Sequence, residues 1–188
     1  MTDTDKENRM IVVNLFGAPG AGKSTGAAYI FSKLKMAGVN AELITEFAKD
    51  KTWEENVTAL DNQAYVFGKQ SYRMSRCRDK VDVLVTDSPL FLSILYNYDK
   101  TLGEDFNKVV LNVFNSYDNI NFFVRRAKPY NPIGRNQTEE EAAQLSAKLE
   151  FKLDSLGLDY IEMRGEGEAY AEAADLVLHM VKKKNGEV

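Results

Sequence analysis

The chain has 188 residues, of which 44% are hydrophobic and 28% are charged, a composition typical of one globular domain that excludes a disordered chain. Its one cysteine excludes a disulfide framework and fits a reducing cytoplasm, and its one histidine excludes a site built from two imidazoles. The net charge of -4 argues against a protein that mainly holds nucleic acid, and no apolar run approaches the ~18 residues of a membrane span. We therefore expect a cytoplasmic protein with no membrane partner.

Predicted strands and helices alternate along the chain, a pattern typical of a parallel, doubly wound α/β sheet. The five strands are predicted at residues 10–16, 41–45, 81–86, 121–124 and 160–163. Helices are predicted from near residue 23 to residue 36, then as two polar helices within 52–80, and at 90–98, 103–117, 138–156 and 170–181. One domain thus spans 10–181, with flexible ends at 1–9 and 182–188.

The segment GAPGAGKST, at 17–25, follows the first strand and matches the P-loop pattern GxxxxGK[ST]. Its glycines let successive backbone N–H groups turn inward around an anion, and the helix that follows adds the positive end of its dipole. In this chemistry Lys23 reaches the β- and γ-phosphates of a nucleotide, and the Ser24 hydroxyl binds a bridging Mg²⁺ ion. The residues predicted to hold the nucleotide are Gly17, Ala18, Pro19, Gly20, Ala21, Gly22, Lys23, Ser24 and Thr25.

Asp87 directly follows the third predicted strand, so the parallel sheet brings it to the same edge as the P-loop. A carboxylate there can hold the Mg²⁺ shell or accept a proton from an attacking hydroxyl, and we predict Asp87 as both a catalytic residue and a metal ligand. The alternative is a helix N-cap, which Ser88 and Pro89 would also suit. Asp82 begins the same strand at the opposite edge, where we expect it to be solvated.

Basic residues at the end of the fourth strand and in the loop at 127–137 form a third group. Phosphoryl transfer spreads negative charge over the transferred group, and arginines on a closing loop can clamp that charge. Arg125 and Arg135 are the predicted catalytic members, with weaker cases for Arg126 and Lys128. The alternative for each of them is ordinary surface charge.

A pocket for a second substrate is predicted from residues after the second strand and on the helix near 62–80. Glu46 and Phe47 follow that strand, while Gln63 and Arg73 share roughly one helix face. Amides, aromatic rings and one carboxylate suit a base or a sugar, so these four residues are the predicted acceptor-binding set. A solvated helix is the alternative, and the basic residues between 69 and 80 could instead follow a phosphate backbone.

These segments resemble the P-loop kinases of the nucleoside and nucleotide kinase superfamily, above all thymidylate-kinase-like and nicotinamide-riboside-kinase-like proteins. The resemblance rests on residues 17–25, on EFAK at 46–49, on DSP at 87–89 and on 130–138 as the lid. It covers nearly the whole chain. One departure is Ser88, which stands where many nucleoside-monophosphate kinases have an arginine, and this weakens the case for a thymidylate kinase.

The resemblance implies a sheet order of 2-3-1-4-5, ATP and Mg²⁺ as cofactors, and a small lid at about 127–140. It also implies that Gly165 contacts adenine, that the acceptor lies between the second and third strands, and that a homodimer is to be considered. Similar bacteriophage proteins phosphorylate the hydroxymethyl group of 5-hydroxymethyluracil within DNA. Membership of that subgroup stays open at this point.

Three functions remain to be separated. The first is a kinase that moves the γ-phosphoryl group of Mg-ATP to a nucleoside- or nucleotide-type acceptor, free or within DNA. The second is a P-loop ATPase or switch that acts through a protein partner. The third is a nucleotide-binding interaction protein without catalysis, against which the intact set of Lys23, Ser24 and Asp87 argues. Motor ATPases typically place a glutamate directly after the third-strand aspartate to activate water, whereas Ser88 follows Asp87 here. The sequence therefore favours the kinase.

Overall fold

The computed structural model describes residues 10–131 and 137–187, which form five strands and eight helices. The expected flexible N-terminus, and Arg135 in the lid, lie outside the described residues. The strands are β1 Ile11–Phe16, β2 Ala41–Ile44, β3 Val83–Thr86, β4 Asp118–Arg125 and β5 Ile161–Arg164. The helices are α1 Lys23–Met36, α2 Phe47–Trp53, α3 Val57–Asp61, α4 Gln63–Ser75, α5 Leu92–Leu95, α6 Gly103–Phe114, α7 Glu139–Ser155 and α8 Gly167–Lys184.

The sheet has the order β2-β3-β1-β4-β5 with every pairing parallel, which confirms the predicted order and fold class. Strand β1 lies in the middle, and all six of its residues are buried because helices cover both faces of the sheet. Ile11, Val13 and Leu15 face a core layer shared with α1 and α8. Val12 and Phe16 face the other layer, to which α4, α6 and α7 contribute.

The strand register explains why separate segments meet at one edge. Asn14 of β1 and Ile44 of β2 both lie level with Thr86 at the end of β3. The chain therefore leaves β1, β2 and β3 at the same carboxyl edge, where a doubly wound sheet forms its binding crevice. This edge collects the P-loop, Glu46 and Asp87.

Some element boundaries differ from the sequence-based expectation. Helix α2 was not predicted, because seven residues are too few to show a helical period. Strand β4 begins at Asp118, earlier than predicted, since polar Asp118 and Asn119 hide its start. Helix α8 continues to Lys184, into the predicted tail. The capping box of Thr138 and Glu141 is confirmed at the start of α7.

Candidate active site

The P-loop joins β1 to α1 in a conformation that its glycines make possible. Gly22 has a φ of 107°, in the left-handed region, and a Cβ there would overlap the hydroxyl of Tyr170. A Cβ at Gly17 would lie 2.6 Å from the carbonyl oxygen of Val124. The Lys23 ammonium donates hydrogen bonds to the carbonyl oxygens of Gly17 at 2.9 Å and Ala18 at 3.0 Å. The Lys23 side chain thus folds back over the P-loop, beside the place where phosphate is predicted to bind.

The turn between β5 and α8 supports the P-loop from behind. The Gly165 N–H donates to the Arg125 carbonyl oxygen at 2.8 Å, and a Cβ at Gly165 would overlap the carbonyl oxygen of Ala21. The Tyr170 hydroxyl donates to the carbonyl oxygen of Gly22 at 2.9 Å. Gly165 therefore lies against the P-loop, and its predicted contact with adenine stays a prediction.

A cavity of about 450 Å³ opens beside the P-loop at the carboxyl edge of the sheet. Its wall brings together predicted nucleotide, metal and acceptor residues from four separate segments. These are Gly17, Pro19, Gly20, Gly22, Lys23, Ser24, Thr25, Glu46, Gln63 and Asp87. Ala18 and Ala21 instead line a second cavity of about 300 Å³ on the side of α7.

Asp87 is the most deeply buried acidic residue of the cavity wall, with only 4% of its surface exposed. Its Oδ1 atom is buried and has no hydrogen-bond partner in the part of the chain that the structure describes. The N-cap alternative is not observed, because the next helix begins at Leu92 and its N-cap residue is Phe91. A buried carboxylate oxygen without a partner suits a cation or a substrate hydroxyl.

Glu46 lies in the same cavity, in a place that opposes its ionisation. Burial raises the pKa of the Glu46 carboxyl, Lys23 acts in the opposite direction, and the charge of Asp87 raises the pKa further. The hydroxyl of Tyr96, also in the cavity wall, has a pKa raised by its own burial and by the charge of Glu46. A half-buried carboxylate with a raised pKa is a candidate general base.

Two predicted acceptor residues lie behind the cavity wall rather than in it. Phe47 is 7% exposed, and its ring packs edge-on against Tyr65 with 5.5 Å between centroids. The Arg73 guanidinium lies 5.1 Å from the centroid of the Phe47 ring and pairs with Asp50 at 2.6 Å. The side chains of Phe47 and Arg73 thus pack against each other and against α2 and α4, the helices that surround Glu46. Their predicted role in acceptor binding stays a prediction.

Two arginines at the carboxyl end of β4, Arg125 and Arg126, form ion pairs with carboxylates. Arg125 pairs with Glu150 of α7 and with Glu162 of β5, the second at 2.6 Å, and both partners raise its pKa. Arg126 pairs with Glu139 at 2.5 Å, and Lys128 is exposed. Arg125 lines the second cavity and not the one that contains Lys23 and Asp87. The catalytic role predicted for Arg125 and for Arg135 stays a prediction.

Sequence reasoning assigned no individual role to several residues of the cavity wall. Tyr96 follows α5, Trp53 ends α2 and is 63% exposed, and Lys49 lies within α2. Lys49 belongs to the EFAK segment on which the resemblance rests, whereas Tyr96 and Trp53 belong to no motif. Gln70, which lies on α4 between Gln63 and Arg73, is in the wall as well.

Within the described ranges no helix is long and apolar enough to cross a membrane, and no group of three or more His, Cys, Asp or Glu residues forms a metal cluster. The P-loop follows the central strand β1, and the acidic residues Glu46 and Asp87 follow β2 and β3. A parallel sheet of this order with a P-loop after its central strand has the P-loop kinase fold. The structure is similar to that of a deoxyadenosine kinase from M. mycoides with bound dATP. The two chains share 19% sequence identity, the match covers 91% of this chain and 99% of that chain, and the TM-score is 0.55.

The family model described as an AAA domain matches residues 12–169, which is more than half of the chain. The protein therefore belongs to this AAA-domain family. A comparison with curated protein sequences finds no significant match.

Proposed function

We propose that the protein is a kinase that transfers the γ-phosphoryl group of ATP to a hydroxyl group of a nucleoside-like acceptor. The observation that carries the proposal is the shared cavity, in which Lys23 and Ser24 of the P-loop face two carboxylates, Glu46 and Asp87. A nucleotide switch needs the P-loop but has no use for a half-buried carboxylate with a raised pKa beside it. The bound dATP in the similar deoxyadenosine kinase supports the binding of a nucleotide by this chain.

Each side chain has a role that its position supports. Lys23 and the N–H groups of the P-loop hold the phosphates and stabilise the charge of the transferred group. Ionised Glu46 accepts the proton of the acceptor hydroxyl, whose oxygen then forms a bond to the γ-phosphorus as the bond to ADP breaks. Ser24 and Asp87 offer hard oxygen ligands of the kind that Mg²⁺ prefers beside phosphates, and the partnerless Oδ1 of Asp87 fits this use. When bound, Mg²⁺ neutralises phosphate charge.

The charge of the cavity favours an acceptor that carries no phosphate. None of the described residues in the cavity wall is an arginine, and its carboxylates Glu46 and Asp87 would repel a monophosphate. Lys23 is assigned to ATP, which leaves Lys49 as the nearby cation of the acceptor side. A neutral nucleoside with a free hydroxyl therefore fits better than a nucleotide.

The basic residues of α4 and the turn after it give little support for an acceptor within duplex DNA. Arg73 pairs with Asp50, and Arg78 donates to the Ser116 hydroxyl at 2.6 Å and lies over the ring of Tyr117. These contacts use two of the five basic residues that would follow a phosphate backbone. A 5-hydroxymethyluracil acceptor and the homodimer therefore stay predictions of the family resemblance.

The test is transfer of labelled γ-phosphate from Mg-ATP to two acceptor pools. One pool contains free nucleosides and nucleotides, including nicotinamide riboside, and the other contains duplex DNA with and without 5-hydroxymethyluracil. We expect label in a free nucleoside. Lys23→Ala and Asp87→Asn should each lower the rate at least ~100-fold, as loss of one transition-state contact does. Asp82→Asn, at the exposed opposite end of β3, should leave the rate unchanged.

Two results would contradict the proposal in different ways. Label that appears only as inorganic phosphate, dependent on Lys23, would establish an ATPase. Label found only in the modified DNA would keep the kinase activity and replace the free nucleoside by a base within the polymer.

A further inference from the structure

The side chain of Gln70 bridges the two segments that carry the acidic residues of the cavity. Gln70 lies on α4 and is 4% exposed. Its Oε1 accepts the N–H of Phe47 at 3.0 Å, and its Nε2 donates to the carbonyl oxygens of Thr45 at 3.4 Å and Ser88 at 3.3 Å. One amide thus contacts the backbone on both sides of Glu46 and the residue directly after Asp87.

The hydrogen bonds of Gln70 lie beyond the ends of β2 and β3, where the two segments are no longer joined by the sheet. The ladder between β2 and β3 ends at the pair Ile44 and Thr86, so Glu46 and Asp87 both lie beyond it. Their like charges oppose each other, as the effect of Asp87 on the pKa of Glu46 shows. A link between the two turns is therefore needed to keep the carboxylates at a fixed separation.

The neighbouring turn of α4 strengthens the same link. Arg73 donates to the carbonyl oxygen of Thr45 at 3.3 Å and pairs with Asp50 of α2. Gln70 and Arg73, one turn apart on the same face of α4, thus both bind the segment around Glu46. Among the described residues on this face of α4, only Gln70 also forms a hydrogen bond with the segment that carries Asp87, through the carbonyl oxygen of Ser88.

We propose that Gln70 is a positioning residue that fixes the separation of the Glu46 and Asp87 carboxylates for acceptor phosphorylation and takes no part in ATP binding. This inference rests on the proposed kinase function. The amide has two N–H donors and one oxygen, and all three take part in the backbone bonds. Gln70 therefore does not select the acceptor, although it lines the cavity.

The test compares Gln70→Met with Asn121→Leu. The first variant keeps the length of the side chain and removes all three bonds. The second removes a buried amide of β4 that accepts from Asn14 and donates to Asp159, away from the cavity. Both should lower the free energy of unfolding in urea by a similar amount, because each leaves buried backbone or amide groups unpaired.

The kinetic constants separate positioning from a merely structural role. We expect Gln70→Met to lower kcat at least ~10-fold, since small displacements of reacting groups are costly. Its Kd for ATP, measured by calorimetry, should stay within about twofold, and Asn121→Leu should keep kcat within about twofold of the wild type. Equal losses of kcat in both variants, or a loss of ATP affinity that accounts for the lower rate, would overturn the proposal. So would a rise in the acceptor KM alone.

A second measurement does not depend on activity. Exchange of the Phe47 amide hydrogen, followed by NMR, reports the bond to Gln70 directly. We expect exchange at least ~10-fold faster in Gln70→Met than in the wild type and no change in Asn121→Leu. Unchanged protection would show that Gln70 does not hold this segment. If the wild type labels no acceptor, the kinase proposal fails, and the exchange result still decides the role of Gln70.

Discussion

The Glu46 carboxyl illustrates a conflict between stability and chemistry at the scale of one residue. Burial and the charge of Asp87 both oppose its ionisation, while Lys23 favours it. A carboxylate kept in such a place is a stronger proton acceptor than one in water, because its pKa is raised. The same environment means that ionised Glu46 destabilises the folded protein.

Glu46→Gln should therefore stabilise the protein at pH 7. The raised pKa means that the folded state binds this proton more tightly than the unfolded state, for which the ordinary value is 4.5. The free energy of unfolding then falls as the pH rises above 4.5, and this loss is complete above the folded-state pKa. Urea unfolding of both proteins at pH 4 and pH 7 measures the difference.

The variant should be the more stable of the two at pH 7, and the difference should shrink at pH 4, where the wild-type carboxyl is largely protonated. A variant less stable than the wild type at pH 7 would show that Glu46 gains more from Lys23 than burial costs it.

Residues that belong to a fixed motif could be predicted from the sequence, and residues whose role depends on a partner could not. The P-loop spacing specifies Lys23 and Ser24 directly, and Asp87 follows from its place after a strand. The ion pairs of Arg125 depend on carboxylates 25 and 37 residues further along the chain, so nothing near Arg125 indicates them. The hydrogen bonds of Gln70 could not be predicted for the same reason, because its partners lie 18 to 25 residues away in the sequence.

At the scale of elements, the turn between β5 and α8 is the rear wall of the P-loop. Gly165 leaves no room for a side chain against Ala21, and the ring of Tyr170 fills the space where a Cβ at Gly26 would lie, at 2.6 Å. The P-loop with the start of α1, and the turn before α8 with its first turns, thus pack closely because Gly26 and Gly165 have no side chains. The shape of the phosphate site depends on this fit.

Gly165→Ala should lower the affinity for ATP about tenfold or more, because overpacking costs about 1–3 kcal/mol and would displace the P-loop. The matched control is Gly167→Ala, where no described atom lies within 4 Å of the added Cβ. Calorimetry with ATP and with tripolyphosphate measures the effect. A loss for both ligands indicates a displaced P-loop, whereas a loss for ATP alone would indicate that Gly165 acts only on adenine.

The elements themselves were largely predictable, because alternation of apolar strands with helices allows few architectures. All five strands were found, and burial on both faces explains the nearly continuous apolar sequences of β1 and β3. Helix α2 was missed because its packing depends on tertiary contacts, such as that of Phe47 with Tyr65. Strand β4 was predicted too short because it begins with the polar residues Asp118 and Asn119, and the Asn119 side chain accepts a hydrogen bond from Asn14 in the sheet.

At the scale of the whole molecule, the nucleotide should stabilise the entire fold. The P-loop connects the central strand to a helix that packs on α8, so nucleotide binding acts on the main core layer. At 100 times its Kd, a ligand of the folded state adds about 2.7 kcal/mol. For a chain of this size we expect the Tm to rise by about 5–10 °C with ATP.

ADP should give a similar shift and adenosine a much smaller one, because the P-loop holds phosphates. Lys23→Ala should remove most of the shift with ATP. Differential scanning calorimetry checks these outcomes, and an equal shift with adenosine would contradict a phosphate-centred site.

The hydrogen bond between Tyr170 and Gly22 spans 148 positions of the sequence. During synthesis the P-loop leaves the ribosome long before Tyr170, and also before β4, which pairs with β1 on the side opposite β3. A nascent chain therefore carries the whole phosphate-binding motif without the support that shapes it. We therefore expect a chain that stops before α8 to bind ATP more weakly than the whole protein.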